Sequence, residues 1–224
     1  MLGVSDNELE SKLVEMGFKP NEGQLEYRSL DCFTPGSDCY IQTGGISVWI
    51  EDEHCDNPVR IVVNYSVALC WDGSLNFYDF SLDTIYPCPE LKEYMDGLSD
   101  HQLSAYLDKL YYKASISLEK IFMLTYLQNA YGATSSFYTN QCYQWCYSVV
   151  SKPGDDYIVG YASKVNCGEH CCLRTTFYYW DNGVLKNNDP IFNDSGTSDC
   201  ATFPIEECRN GRFVGDCDHI CGPL

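Results

Sequence analysis

The spacing of apolar residues divides this chain into alternating helical and extended regions. Leu9, Leu13 and Met16 recur at helical intervals, Ser5 and Glu8 form an S-x-x-E capping box, Val4 can staple onto Leu9, and Gly17 stops the run. This predicts an N-terminal helix within residues 1–18 whose apolar stripe packs on the rest of the chain. Over residues 25–83 the period falls to that of strands, in "GGISVWIE", "RIVVNYSVAL" and "SLNFYDF". Ile61, Val63, Tyr65, Val67 and Leu69 share one face, and Val62, Asn64, Ser66 and Ala68 the other, so one side of this region is core. Asp72-Gly73 marks a hairpin, because glycine accepts the positive φ of a tight turn.

Residues 89–131 return to the helical period. "PCPELKEYMDGL" reads as a short helix ending at Gly97, and an S-x-x-Q box at Ser99 and Gln102 opens a longer one running toward Gly132. Leu103, Tyr106, Leu107, Leu110, Leu118, Ile121, Phe122 and Leu127 form its apolar face, with "ASIS" at 114–117 as a point where it splits. Residues 135–185 are again strand-like, in "SFYTNQCYQWCYSVV", "YIVGYASKV" and "CLRTTFYYW", followed by a turn at Asn182-Gly183. Residues 186–224 are rich in Asn, Asp, Gly, Ser and Pro and cannot build a core. The expectation is a single α+β domain over 1–224: antiparallel sheet with a central helical segment and a tail held by disulfides.

Charge and cysteine content narrow the function. The 14 Lys and Arg against 32 Asp and Glu give a net charge of −18, which repels nucleic acid and anionic lipid headgroups. With 45% hydrophobic and 14% aromatic residues the chain is a folded one. Its 14 cysteines, Cys32, Cys39, Cys55, Cys70, Cys88, Cys142, Cys146, Cys167, Cys171, Cys172, Cys200, Cys208, Cys217 and Cys221, point to disulfides in an oxidising compartment. No apolar run reaches membrane-spanning length. The opening "MLGVSDNELE" lacks the basic and apolar regions of a signal peptide, so the expectation is that a leader has been removed and that Met1 is not native to the mature chain.

The densest cluster is "NCGEHCC" at 166–172. Adjacent Cys171 and Cys172 point to opposite faces of a strand and are expected to bond different partners, tying the strand to the tail. Zinc is an alternative: Cys167 and His170 with Cys217 and His219, joined by Cys171 and Cys221, supply suitable ligand types. The C-x₃-C spacing argues against it, since structural zinc knuckles favour C-x₂-C. A third reading makes Cys142 a nucleophile with His170 as its base. "NQCYQWC" resembles the Gln-Cys step of CHAP-type amidases and peptidases, although the Gly-His step that presents the base in those enzymes is absent. G-x-S-x-G, phosphate-loop and dinucleotide signatures are missing too, and no cofactor is expected.

Lesser features read as surface chemistry. His54 and His101 fit solvated positions, and Asp189, Asp194 and Asp199 fail the register of an EF-hand loop. Of the sequons at Asn64 and Asn193, Asn64 falls mid-strand, so only Asn193 is expected as a glycan site, and only in a eukaryotic secretory route. Tyr143, Trp145, Tyr178 and Trp180 are candidates for an outward aromatic sheet face that binds a protein or glycan partner, within a larger surface assembly as one option.

"CGEHCCLRTTFYYWDNGVL" and "VSDNELESKLVEMGF" resemble segments of cysteine-rich exported proteins of Bacteroidetes-type bacteria. That resemblance implies export to the periplasm or cell surface and carries no active site. The sequence thus points to an exported, disulfide-rich binding or accessory protein, with the Cys142/His170 hydrolase and the zinc-stabilised module as alternatives.

Overall fold

Strand β4 (Leu75–Tyr86) changes neighbour half-way along its length, and the architecture follows from that change. The computed structural model describes residues 11, 13–21, 32–126, 132–151, 158–168, 170–195, 200, 208, 211–218 and 221–222. Within them β1 (Lys19–Pro20), β2 (Cys39–Ile50), β3 (Val59–Cys70) and β4 form an antiparallel meander. The chain continues through α1 (Pro89–Asp96), α2 (Asp100–Tyr126), β5 (Gly132–Asn140), β6 (Tyr143–Ser151), β7 (Ile158–Asn166), β8 (Cys171–Asp181), β9 (Val184–Asn187), β10 (Ile191–Ser195) and β11 (Arg212–Asp218). The fold is therefore mainly antiparallel sheet with few helices and seven disulfides.

The start of β4, Leu75–Phe77, pairs in parallel with Ser135–Phe137 of β5. Its end, Thr84–Ile85, pairs antiparallel with Gly160 and Tyr161 of β7. The sheet thus forks into one arm of β5, β8 and β10, with β9 folded back on β8, and another of β7, β6 and β11. Two bulges in β4 produce the fork. Tyr65 faces both Asp79 and Phe80, and Asp83 is an extra residue between the pairs Val63–Leu82 and Val62–Thr84. Each bulge adds twist and flips the face on which later side chains emerge. The residues of β4 in the main core are consequently Leu75, Phe77, Phe80, Leu82 and Ile85, stepping by two and then by three. Asp79, at φ 50°, and Asp83 are left exposed.

Helix α2 lies against β2, β4, β6 and β11. Cys88 caps α1 and Gly97 ends it. Ser99 and Gln102 then form the expected reciprocal box, Ser99 N–H donating to Gln102 Oε1 at 3.1 Å and Gln102 N–H to Ser99 Oγ at 3.4 Å. No split occurs at 114–117: α2 is unbroken from Asp100 to Tyr126, because Ala114 and Ser115 are small residues buried against the sheet and Ser115 Oγ bonds back to the Tyr112 carbonyl at 2.8 Å. Ile121 proves exposed, and Leu127 lies outside the described residues.

The hairpins at Gly73 and Asn182-Gly183 form as expected, with φ of 80° at Gly73, 52° at Asn182 and 78° at Gly183. Ile61, Val63, Tyr65 and Val67 are buried on one face of β3, with Leu69 packed beside them. The opposite face is covered near the Cys39–Cys70 disulfide, where Phe33 packs on Tyr78 and Tyr138. At the N-terminus, residues 11 and 13–15 are helical, Gly17 ends the turn at φ 85°, and Leu13 and Phe18 enter the core. Ser5, Glu8, Val4 and Leu9 lie outside the described residues.

Two expectations require correction. "SFYTNQCYQWCYSVV" is not continuous strand. It breaks between β5 and β6 because Asn140 Oδ1 accepts the Cys142 N–H at 3.0 Å, a local turn that competes with the ladder. The tail is also more than a stapled coil: β10 pairs with β8, β11 pairs with β6, and Val214 is fully buried. A segment too polar for its own core still adds strands to an existing edge.

Gly215 and Gly183 provide a test of how closely β11 approaches α2. A Cβ at Gly183 meets nothing, whereas one at Gly215 falls 2.4 Å from Ser104 Oγ, and both residues have positive φ. Gly183→Ala is expected to cost about 1–2 kcal/mol from backbone strain alone. Gly215→Ala adds the clash with α2 and should unfold at distinctly lower urea concentration; equal midpoints would show that β11 does not press on the helix.

Candidate functional site: a polar cavity beneath the fork

Helix α2 carries Asp108, Ser115 and Glu119 at i, i+7 and i+11, which places all three on one stripe. That stripe faces the fork, and all three residues are buried. Opposite them β8 alternates Cys172, Arg174, Thr176 and Tyr178 inward, and β6 and β7 contribute Tyr143, Trp145 and Lys164. The sequence thus sends four charged groups into an aromatic interior, where each needs a partner.

Glu119 and Arg174 form one centre. Glu119 Oε2 accepts from Arg174 Nη2 at 2.5 Å and from the Tyr178 hydroxyl at 3.2 Å, while Oε1 accepts from Ser135 Oγ at 2.5 Å. Arg174 Nη1 donates to Ser115 Oγ at 2.8 Å, and the guanidinium lies 4.6 Å from the Phe137 ring and 5.1 Å from that of Tyr112. Arg174 is only 5% exposed, yet its buried Nε has no hydrogen-bond partner among the described residues.

Asp108 and Lys164 form the second centre. Asp108 Oδ1 accepts from Trp145 Nε1 at 2.8 Å and from the Tyr143 hydroxyl. The Lys164 Nζ sits 3.5 Å from the Tyr143 ring centre and 3.6 Å from that of Tyr111, and finds no hydrogen-bond acceptor among the described residues. Burial pushes the Lys164 ammonium down to about 7, against the opposing pull of Asp108. Burial, reinforced by Asp108, pushes the Tyr143 phenol up, so it remains a donor.

A cavity of about 40 Å³ opens between the two centres, lined by Lys164, Arg174, Tyr111, Tyr112, Gln141 and Phe192 among others. Cys172 and Gly222 complete its wall, and Cys172 is bonded to Cys221, so the tail closes one side.

The cysteines and histidines singled out in the sequence take other roles. All fourteen cysteines are paired: Cys32–Cys171, Cys39–Cys70, Cys55–Cys88, Cys142–Cys200, Cys146–Cys208, Cys167–Cys217 and Cys172–Cys221. Cys171 and Cys172 do bond different partners, but only Cys172 reaches the tail; Cys171 holds Cys32. Cys142 has no thiolate to offer as nucleophile, since its sulfur is bonded to Cys200. Cys167 and Cys217, proposed as zinc ligands, are bonded to each other, and no metal-holding group of His, Cys, Asp or Glu occurs among the described residues. His219 and Asp199 lie outside those residues.

His170 acts as a pin. Its Nε2–H donates to the Asp194 carboxylate of β10, and its carbonyl accepts from Gln141 N–H at 2.7 Å. Asn140 Nδ2 donates to the Gly168 carbonyl at 2.9 Å, and Cys167 N–H to the Cys142 carbonyl at 3.0 Å. "NCGEHCC" is therefore clasped against "NQC". His54 is no solvated turn either: it stacks on Tyr94 at 3.8 Å and bonds Asp52 at 2.8 Å. Burial raises the Asp52 pKa, but hydrogen bonds from Tyr106 and His54 outweigh it and leave the carboxyl below its ordinary value. His101 is exposed as expected.

The aromatic sheet face is corrected as well. Trp145 and Tyr178 are fully buried, and Tyr143 and Trp180 pack against the same core, so this face turns toward α2 and not toward a partner. Solvent-facing aromatics among the described residues are others, Trp49, Trp71, Tyr94, Tyr161 and Phe177. Sequence reasoning missed Asp108, Glu119, Lys164 and Arg174. The readable signal was acidic residues on the stripe flanking an apolar helix face, and an arginine at an inward position of β8.

Comparison with protein-family models, curated proteins and solved structures finds no match to this chain.

Two outcomes test this geometry. Glu119→Leu should cost about 3–5 kcal/mol in urea unfolding, because it strands a buried guanidinium, and Glu119→Leu with Arg174→Met should recover most of the loss. For Lys164, a folded pKa below the unfolded value means the unfolded chain binds the proton more tightly, so stability rises with pH from about 7 to the ordinary lysine value. Lys164→Met removes that dependence and should raise the melting temperature more near pH 6 than near pH 9. A difference independent of pH would count against a perturbed Lys164.

Proposed function

We propose that this chain is an exported binding or accessory protein of the periplasm or cell surface, with the cavity beneath the fork as its ligand site. The observation that carries the reading is where the disulfides fall. Four of the seven join the tail to Cys142, Cys146, Cys167 and Cys172, the residues at and around the strands that wall the cavity. A site held in place before the ligand arrives loses less entropy on binding.

Seven disulfides and no cysteine left free fit an oxidising, exported environment. Among the described residues, no helix is long and apolar enough to cross a membrane. The resemblance of "CGEHCCLRTTFYYWDNGVL" to exported cysteine-rich proteins points the same way. The cavity itself has the composition of a small-ligand site, with aromatic walls and a few polar groups directed inward.

Two measurements test the proposal. Protein from its native source, alkylated before reduction, should carry no label on any cysteine; extensive labelling would remove the case for export. A nuclear magnetic resonance screen of small polar metabolites should shift the resonances of Lys164, Gln141 and Arg174 ahead of surface residues. Shifts confined to the surface would remove the cavity as the ligand site.

A further inference from the structure

We infer that two copies of this chain pair edge to edge through β2, about a two-fold axis at Ser47, so that the sheet of one copy runs on into the sheet of the other. The pairing is independent of the cavity and starts from an edge left open. Among the described residues β1 covers β2 only at Tyr40 and Ile41, and no strand lies beside Gln42–Ile50 on that side. Cys39 N–H donates to the Gly36 carbonyl at 3.2 Å and the Cys39 carbonyl accepts from Asn21 N–H at 3.0 Å, so both groups face away from β3. Backbone groups alternate sides along a strand, and β2 keeps one register with β3 throughout. Thr43, Gly45, Ser47 and Trp49 therefore turn their N–H and C=O groups outward, along the open edge.

The other open edges of this sheet are protected, and this one is not. An unpaired edge is a template for a strand from another chain, and proteins guard against that with short strands, charges, bulges or proline. β1 is only Lys19 and Pro20, β9 has four residues with Lys186 among them, and β10 has five with Asp194. β11 carries Arg212, Asp216 and Asp218 and shifts register after Val214. β2 has twelve residues, "CYIQTGGISVWI", with no charge, no proline and no bulge. On a chain of net charge −18, so long a stretch without an acid is where two copies approach with least repulsion.

The edge also fits itself. In an antiparallel pair opposed residues share a face, so a two-fold axis at Ser47 sets Trp49 of each copy opposite Gly45 of the other, and Ile46 opposite Val48. Trp49 is 62% exposed, and Gly45 is exposed with no side chain to obstruct a ring laid over it. The fold already uses this arrangement: Phe177 of β8 lies across Gly132 of β5, so closely that a Cβ there would stand 2.7 Å from the ring. Ser47 Oγ accepts from Arg60 Nε at 3.0 Å, which draws the hydroxyl toward β3 and clears the axis. On the other face Val48 is buried and Ile46 packs against the core, so the apolar layer continues from one copy to the next. The register ends with Ile50 opposite Gly44, short of the residues that β1 covers.

Backbone hydrogen bonds tell this dimer from any other. Ser47 exchanges bonds with Ser47 across the axis, and Gly45 with Trp49, so these three amides gain acceptors only when two copies meet. Ile46 and Val48 point their groups toward β3 and keep the same partners in either state. One ladder and two tryptophans make a narrow interface, which places the dimer at the weak end of specific association, formed at high concentration and lost on dilution.

The test uses the full oxidised chain in sedimentation equilibrium, with amide exchange followed by nuclear magnetic resonance. The expected result is a species of twice the 25.4 kDa chain mass that dissociates on dilution. In it the Gly45, Ser47 and Trp49 amides exchange about tenfold more slowly, or slower still, while those of Ile46 and Val48 do not change. Trp49→Lys and Gly45→Pro, each checked for an unchanged near-ultraviolet circular dichroism spectrum, should both be monomeric. The first puts a solvated charge where the ring would lie, and the second removes an outward N–H that β3 does not use. Trp71→Lys, at an exposed tryptophan outside the ladder, should dimerise as the parent does. A chain that stays monomeric up to about 1 mM overturns the pairing and leaves the edge to a strand from a different protein. A dimer that survives both β2 substitutions, or whose three outward amides exchange as fast as in the monomer, overturns it as well, because another surface then holds the copies together. So does protection of those amides at every dilution, since the chain then covers its own edge. The amide readout needs no variant, so a substitution that fails to fold leaves the decision intact.

Discussion

The fold depends on one strand having two different neighbours. A regular β4 would present a single edge to whatever strand came next, and the sheet would continue as a gently twisted surface. Asp79 and Asp83 prevent this, each adding a residue that its partner strand does not match. The edge turns, β5 takes the first part and β7 the last, and a gap opens between two arms of one sheet. A single long helix can then reach strands from both sides of the fork, as α2 does through β2, β4, β6 and β11. The cavity lies where the arms part and neither covers the helix completely.

That gap explains why the interior is polar at this point. Close-packed apolar side chains fill the space between α2 and the meander, where Leu103, Leu107 and Leu110 are fully buried. Beneath the fork the chain places long side chains with charged ends instead. A buried Arg–Glu pair contributes little to net stability once its desolvation is counted, and apolar residues of equal volume often do better. Glu119 and Arg174, with Ser115, Ser135 and Tyr178 around them, fix orientation: the helix is held in one register against β5 and β8 by bonds that a slip of one residue would break.

Much of the frame was legible from local chemistry. The hairpins at Gly73 and Gly183, the end of α1 at Gly97 and the Ser99–Gln102 box each rest on a few neighbouring residues, and each appears in place. What was not legible depends on distant partners. The inward steps 75, 77, 80, 82 and 85 match no simple period, so the strand-like region was expected to end at Asp83, short of the end of β4 at Tyr86. The break at Gln141 did not show within the stretch read as strand, because its cause is one Asn140 side chain. Alternation told which residues of β6 and β8 share a face, but not which face is inner; the helix that covers Trp145 and Tyr178 comes from elsewhere in the chain. The cavity was least visible of all, since its groups come from α2, β5, β6, β7, β8 and β10.

The tail completes that site, and its cysteines pair in order. Cys200, Cys208, Cys217 and Cys221 meet Cys142, Cys146, Cys167 and Cys172, so that successive loops overlap, each spanning 49 to 62 residues. On a chain-entropy account each such bond alone restrains the unfolded chain by about 4 kcal/mol, although overlapping loops do not add in full. A segment with little apolar surface cannot hold itself against the sheet by burial, and Val214 is its one fully buried hydrophobic residue among those described. Cross-linking supplies what burial does not. Gly222 reaches the cavity because Cys221, its neighbour, is bonded to Cys172. The oxidation that stabilises the fold is thus the same chemistry that builds the cavity wall.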